Sequence, residues 1–155
     1  MIWRIEIKHK KGVFDPLAES VLKSIEDLWL KAVSRAEITN VYNLEGELTA
    51  ENIQAICRDL LVDIVTQNFE YSLQKSYHPQ KSKKYHTIEI AYNPGVMDPV
   101  EESTVKGIRD LGIDQIQSVR TAKKYLLYGS PTKNDLATIA NKVLSNKLIQ
   151  HVVDY

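Results

Sequence analysis

A single cysteine, Cys57, rules out an internal disulfide and any zinc cage built from several thiolates. Glycine and proline are scarce, six and five residues in 155, so the composition is neither fibrous nor low-complexity. Charge of one sign is missing as well: 20 Lys+Arg balance 20 Asp+Glu. No net field draws the chain as a whole to nucleic acid or to an anionic membrane. Near-neutrality protects less against self-association, which leaves homo-oligomers open and suits life in a complex. No apolar run approaches the ~20 residues of a membrane span. The N-terminal segment Met1-Ile2-Trp3-Arg4 leads into alternating charge, not into the apolar core of a signal peptide, which points to the cytoplasm.

Familiar chemistry is also absent. There is no Gly-x-Gly-x-x-Gly, no Walker-type phosphate loop, no His-Glu-x-x-His and no Gly-x-Ser-x-Gly. The four histidines, His9, His78, His86 and His151, have no partner at ligand spacing, so no metal site is expected. Cys57 lies in the helical apolar pattern Ile56-Cys57-Arg58-Asp59-Leu60-Leu61 and reads as a buried thiol rather than a nucleophile.

What the chain does have is one short stretch twice. Lys-Gly-Val-Phe-Asp-Pro at 11–16 returns as Pro-Gly-Val-Met-Asp-Pro at 94–99, 83 residues later. The same offset pairs Glu19/Glu102, Lys23/Lys106, Ile25/Ile108, Asp27/Asp110, Tyr42/Tyr125, Gly46/Gly129, Thr49/Thr132, Ile56/Ile139 and Gln67/Gln150 without a gap. The chain is a tandem duplication.

Each copy reads as strand, helix, strand, helix, strand. Residues 2–9 alternate, with Trp3, Ile5, Ile7 and His9 on the buried side. Gly12 turns the chain. Asp15-Pro16 and Asp98-Pro99 then open helices, Asp as N-cap and Pro at the first helical position. Leu17, Val21, Leu22, Ile25 and Leu28 give the first helix its apolar stripe. A strand is expected at 36–44, then a helix capped by Thr49, with Asn52 in the box position, and a short strand at 69–73. The second copy repeats this with strands at 85–92, 115–128 and 148–154 and helices at 98–111 and 132–146.

The organisation expected is a first repeat at 1–74, a linker at 75–84 and a second repeat at 85–155. One unit of about 70 residues has a small core and open sheet edges. Two copies can cover one another, so the fold expected is α+β: a pseudo-twofold intramolecular dimer with antiparallel sheets and outer helices.

Two stretches invite a binding role. Lys81-Ser82-Lys83-Lys84 between Tyr77 and Tyr85 could hold a single nucleic-acid strand, but reads first as a solvated linker. The duplicated turn puts free helix N–H groups where an anion could sit, but Asp15 and Asp98 fill that place as caps.

With the motif, its flanking strand and its helix assembled, the chain resembles the PurS family, the small accessory subunit of phosphoribosylformylglycinamidine (FGAM) synthase. Copy two carries the resemblance in Pro94-Gly95-Val96-Met97-Asp98-Pro99, Ile108-Arg109-Asp110-Leu111-Gly112-Ile113 and Lys123-Lys124-Tyr125. Copy one keeps the turn and Cys57-Arg58-Asp59-Leu60-Leu61, but has Trp29 where the family usually carries Gly. The resemblance implies two such subunits fused, as in the N-terminal region of some FGAM synthases. It implies a subunit with no active site and no cofactor of its own, bridging the ATP-dependent synthetase and the glutaminase while the complex uses ATP, Mg and glutamine. Partner contacts are then expected at Gly12, Asp15, Pro16, Gly95, Asp98 and Pro99, with Tyr42 and Tyr125 as further candidates. A different class stays open beside it: a small-molecule-sensing domain with its ligand between the two repeats.

Overall fold

The computed structural model describes residues 1–155. Six strands form one antiparallel sheet in the order β3-β1-β2-β5-β4-β6. The elements are β1 (Ile2–His9), α1 (Pro16–Glu26), β2 (Val33–Gly46), α2 (Ala50–Ile56), β3 (Gln67–Leu73), β4 (Tyr85–Tyr92), α3 (Glu101–Asp110), β5 (Ile116–Gly129), α4 (Lys133–Ile139) and β6 (Gln150–Val152). The order strand–helix–strand–helix–strand thus occurs twice. Helices α2 and α4 each run on into one π-helical turn, Cys57–Leu61 and Ala140–Leu144.

Local chemistry explains most boundaries. Asp15 caps α1 by accepting from the amides of Leu17 and Ala18, and Pro16 stands at the first helical position. Thr49 and Thr132 cap α2 and α4 through closed capping boxes, with Asn52 and Asp135 in the third position. Both β2 and β5 run 14 residues, and β2 begins earlier than its own apolar pattern suggests. At their ends the backbones meet closely: a Cβ on Gly46 would overlap the carbonyl of Gln115, and one on Gly129 the carbonyl of Ala32. These two contacts are the same contact in the two copies.

The compact units of the structure cut across the sequence copies. The first comprises Met1–Val13, Asn40–His78 and Met97–Ala122, and the second Phe14–Thr39, Pro79–Val96 and Lys123–Tyr155. In the first unit, Ile108 of α3 is buried against Ile5, Ile7, Leu44, Ile53, Ile56 and Cys57. In the second, Ala18, Val21 and Ile25 of α1 pack with Ile88, Ile90, Tyr125, Leu127, Ile139 and Leu144. Each core therefore takes its first helix from one copy and its second helix from the other. Fully burying one such isoleucine is worth about 2 kcal/mol, so these cores hold the exchange in place.

The outer strands pair in register. Trp3 faces Leu73 and His9 faces Gln67 between β1 and β3, and Ile90 faces Val152 between β4 and β6. Besides the expected buried face, β1 is covered at one point on the other. Ile5 and Ile7 point into the core. On the other face Arg4, 2% exposed, pairs with Glu6 at 2.9 Å and lies 3.9 Å over the ring of Tyr77. The residues after β3 are thus not a free polar linker from the start: Gln74–Ser76 form a 3-10 turn that brings Tyr77 onto Arg4.

Candidate functional site

The two duplicated turns are built alike up to their valines. The amide of Val13 donates to the carbonyl of Lys10 at 3.0 Å, and Val96 to Asn93 at 3.1 Å. Gly12 and Gly95 take φ of +85° and +83° inside these turns, a conformation that an L side chain resists. Each turn is tied to the loop before the third strand of its copy: Lys10 donates to Thr66 and Asn93 to Ile149, both at 2.8 Å. Those loops also match. Asp63 and Asn146 each accept from a backbone amide two residues on, while Gln67 and Gln150 return a side-chain carbonyl to the amides of Asp63 and Asn146. The Gln67/Gln150 identity in the sequence is accounted for by this closure.

Beyond the valines the copies part. Asp15 is the cap of α1. Asp98 does not cap α3, which begins at Glu101 behind Val100 with no side-chain cap, and Pro99 precedes the helix. The carboxylate of Asp98, 1% exposed, instead accepts from the amide of Val100 at 3.0 Å and from both the amide and the hydroxyl of Thr121. Thr121 outcompetes the helix end because it supplies two donors to one carboxylate oxygen. The equivalent residue in copy one is Ile38, which has no hydroxyl to give. Glu101 adds a second such bond from α3, accepting from the amide of Val119 at 3.4 Å. Burial, and then the charge of Asp98, push the phenol of Tyr42 above its ordinary value.

Exposure sorts the expected contact residues. Tyr125 is buried in the core of the second unit, and burial raises its phenol pKa. Tyr42 is half-buried against the core of the first. Asp98 is internal. Gly12, Pro16, Gly95 and Pro99 are exposed and Asp15 is half-buried, and the large side chains that the turns present outward are Phe14, 69% exposed, and Met97, 79% exposed, at the same position of the two copies. Only the apolar character of the position between Val and Asp hinted at them. A cavity of about 650 Å³ flanks α3, lined by Met97, Glu102, Val105, Lys106, Arg109 and Gln117. Its lining carries four carboxylates, Asp98, Glu101, Glu102 and Asp110, against the two cations Lys106 and Arg109, with Lys106 at i,i+4 spacing between Glu102 and Asp110. No cluster of three or more His, Cys, Asp or Glu is placed to hold a metal ion, and no helix is long and apolar enough to cross a membrane.

The family model for phosphoribosylformylglycinamidine (FGAM) synthase, PurS, matches residues 2–75 and then residues 85–153. The chain belongs to the PurS family. Each of its two PurS segments contains one copy of the turn, and membership associates the chain with FGAM synthase and purine biosynthesis. No curated protein matches the chain. In PurS terms, then, each compact unit combines parts of both segments, and in both copies of the turn Gly-Val-x-Asp-Pro the chain passes from one unit to the other, directly after the valine.

Proposed function

We propose that this protein is a non-catalytic structural subunit of FGAM synthase. It holds the ATP-dependent synthetase and the glutaminase subunits together, so that ammonia freed from glutamine reaches the formylglycinamide ribonucleotide. ATP, Mg and glutamine are used by the partners, and the assembly works in the cytoplasm. The observation that carries this reading is the PurS match over both segments. The turns support it, since each sets one large apolar side chain, Phe14 or Met97, in solvent on a backbone fixed by Gly12 or Gly95. Contacts with the partners are assigned to these two turns, 12–16 and 95–99.

Co-elution from a sizing column with the synthetase and glutaminase subunits, in glutamine and Mg-ADP, tests the proposal. One complex containing all three chains is expected, with the isolated chain showing no turnover. Failure to co-elute, or a reaction carried out by the chain alone, would overturn it.

A further inference from the structure

The turn that follows helix α1 holds a residue in a strained conformation that burial does not offset. Trp29 has φ +63°, the sole non-glycine residue at positive φ, and its amide donates to the carbonyl of Glu26 at 2.9 Å. At the same position of copy two stands Gly112, with φ +87° and the matching bond to Arg109, also 2.9 Å. A left-handed residue after a helix suits glycine, because a Cβ there crowds the backbone. A large ring could offset that strain by burial, but Trp29 is 85% exposed. Strain held at an exposed aromatic residue points to a contact outside the chain.

The surroundings say what kind of contact. Glu26 and Asp27, both exposed, precede Trp29, and neither enters an ion pair within the chain. Their counterparts in copy two are Arg109 and Asp110. Copy one thus presents an indole beside two negative charges, where copy two presents a glycine beside a balanced pair. A body made of two like halves that meets two unlike partners needs marks that tell the halves apart.

We infer that Trp29 is the anchor by which copy one docks into an apolar pocket, rimmed by Lys or Arg, on one partner subunit of the complex. The inference rests on the scaffold reading above and narrows it to a named residue and one of two partners. Its chemistry matches the site: the ring fills the pocket and the carboxylates of Glu26 and Asp27 face the basic rim.

The test titrates the synthetase and glutaminase subunits separately with the full chain, with Trp29→Gly and with the double variant Glu26→Lys/Asp27→Lys. Trp29→Gly is expected to raise Tm, yet to weaken binding to one subunit by about tenfold or more while leaving the other unchanged. The double charge variant is expected to weaken the same subunit, most at low salt. In a Trp3→Phe background the emission of Trp29 is expected to shift to the blue on binding. Wild-type affinity of Trp29→Gly for both subunits would overturn the inference and leave the scaffold reading intact. Equal loss towards both subunits with a lowered Tm would overturn it in favour of a merely structural role. Absence of binding by the unaltered chain would remove the scaffold reading and this inference together.

Discussion

Thr121 gives both its amide and its hydroxyl to one carboxylate oxygen of Asp98, at 2.6 and 2.8 Å. Twenty-three residues separate the pair, and the bond ties the second copy of the turn to β5. A buried carboxylate with three donors is a costly group to remove, since each donor is left dry and unpaired.

Replacing Asp98 by Ala is therefore expected to lower unfolding stability by roughly 2–4 kcal/mol. Asp15→Ala removes the side-chain cap of α1, for which about 1 kcal/mol is expected. Thr121→Val, which deletes the hydroxyl and keeps the amide, should fall below Asp98→Ala. Urea midpoints for the three variants check the order. Equal losses for Asp15→Ala and Asp98→Ala would contradict the difference between the turns.

Glycines at matching places should differ by what their Cβ would meet. Gly12 and Gly95 have open space around them and only an unfavourable φ, so each change to Ala is expected to cost about 1 kcal/mol. At Gly46 and Gly129 the obstacle is the backbone carbonyl of the residue just before a neighbouring strand, Gln115 or Ala32, which cannot rotate away as a side chain can. Gly46→Ala and Gly129→Ala should cost more than 2 kcal/mol or prevent folding, by roughly the same amount in the two copies. Thermal melts of the four variants separate the two classes.

Burial in the first core pushes the Cys57 thiol up to about 12. In the unfolded chain a thiol ionises near ~8.5, so between there and about 12 the folded state holds a proton that the unfolded state has lost. Stability is fully present below the lower value and declines as pH rises through the window, by up to about 1.4 kcal/mol per pH unit. Tyr42 and Tyr125, also raised, add the same sign at higher pH. Urea midpoints at pH 7, 9 and 10 should fall, and Cys57→Ala should flatten the first part of the decline. The native thiol should resist thiol reagents at pH 8 and react on unfolding.

Because α1 and α3 serve cores made largely of the other copy, residues 1–74 alone can complete neither core as a monomer. That fragment is expected to be unfolded or self-paired, and to gain helical circular dichroism when mixed with residues 85–155. A well-folded monomeric 1–74 fragment would contradict the exchange.

Much of this architecture was legible in local pattern. The alternation at Trp3–Ile7, the 3–4 spacing at Val21–Ile25 and the caps at Asp15, Thr49 and Thr132 appear where the residues call for them. The cap assigned to Asp98 failed because a distant threonine competed for its carboxylate, and no local rule sees that far. Which core α1 joins was equally hidden, since Ala18, Val21 and Ile25 present the same stripe to either core. The covering of Arg4 by Tyr77 arises from a stretch whose composition reads only as polar. At the candidate site, the glycine and aspartate of each turn announced themselves. Phe14 and Met97 did not, because an exposed apolar residue and a buried one look alike in a sequence, and Trp29 stood out only as a departure from the glycine usual in the family.

Placing both PurS segments on one polypeptide has a further effect. In a pair of identical chains any substitution is made twice, so a residue that helps on one side must be tolerated on the other. Here a codon governs a single location, and tryptophan at 29 can coexist with glycine at 112. Covalent fusion has given the molecule a left and a right.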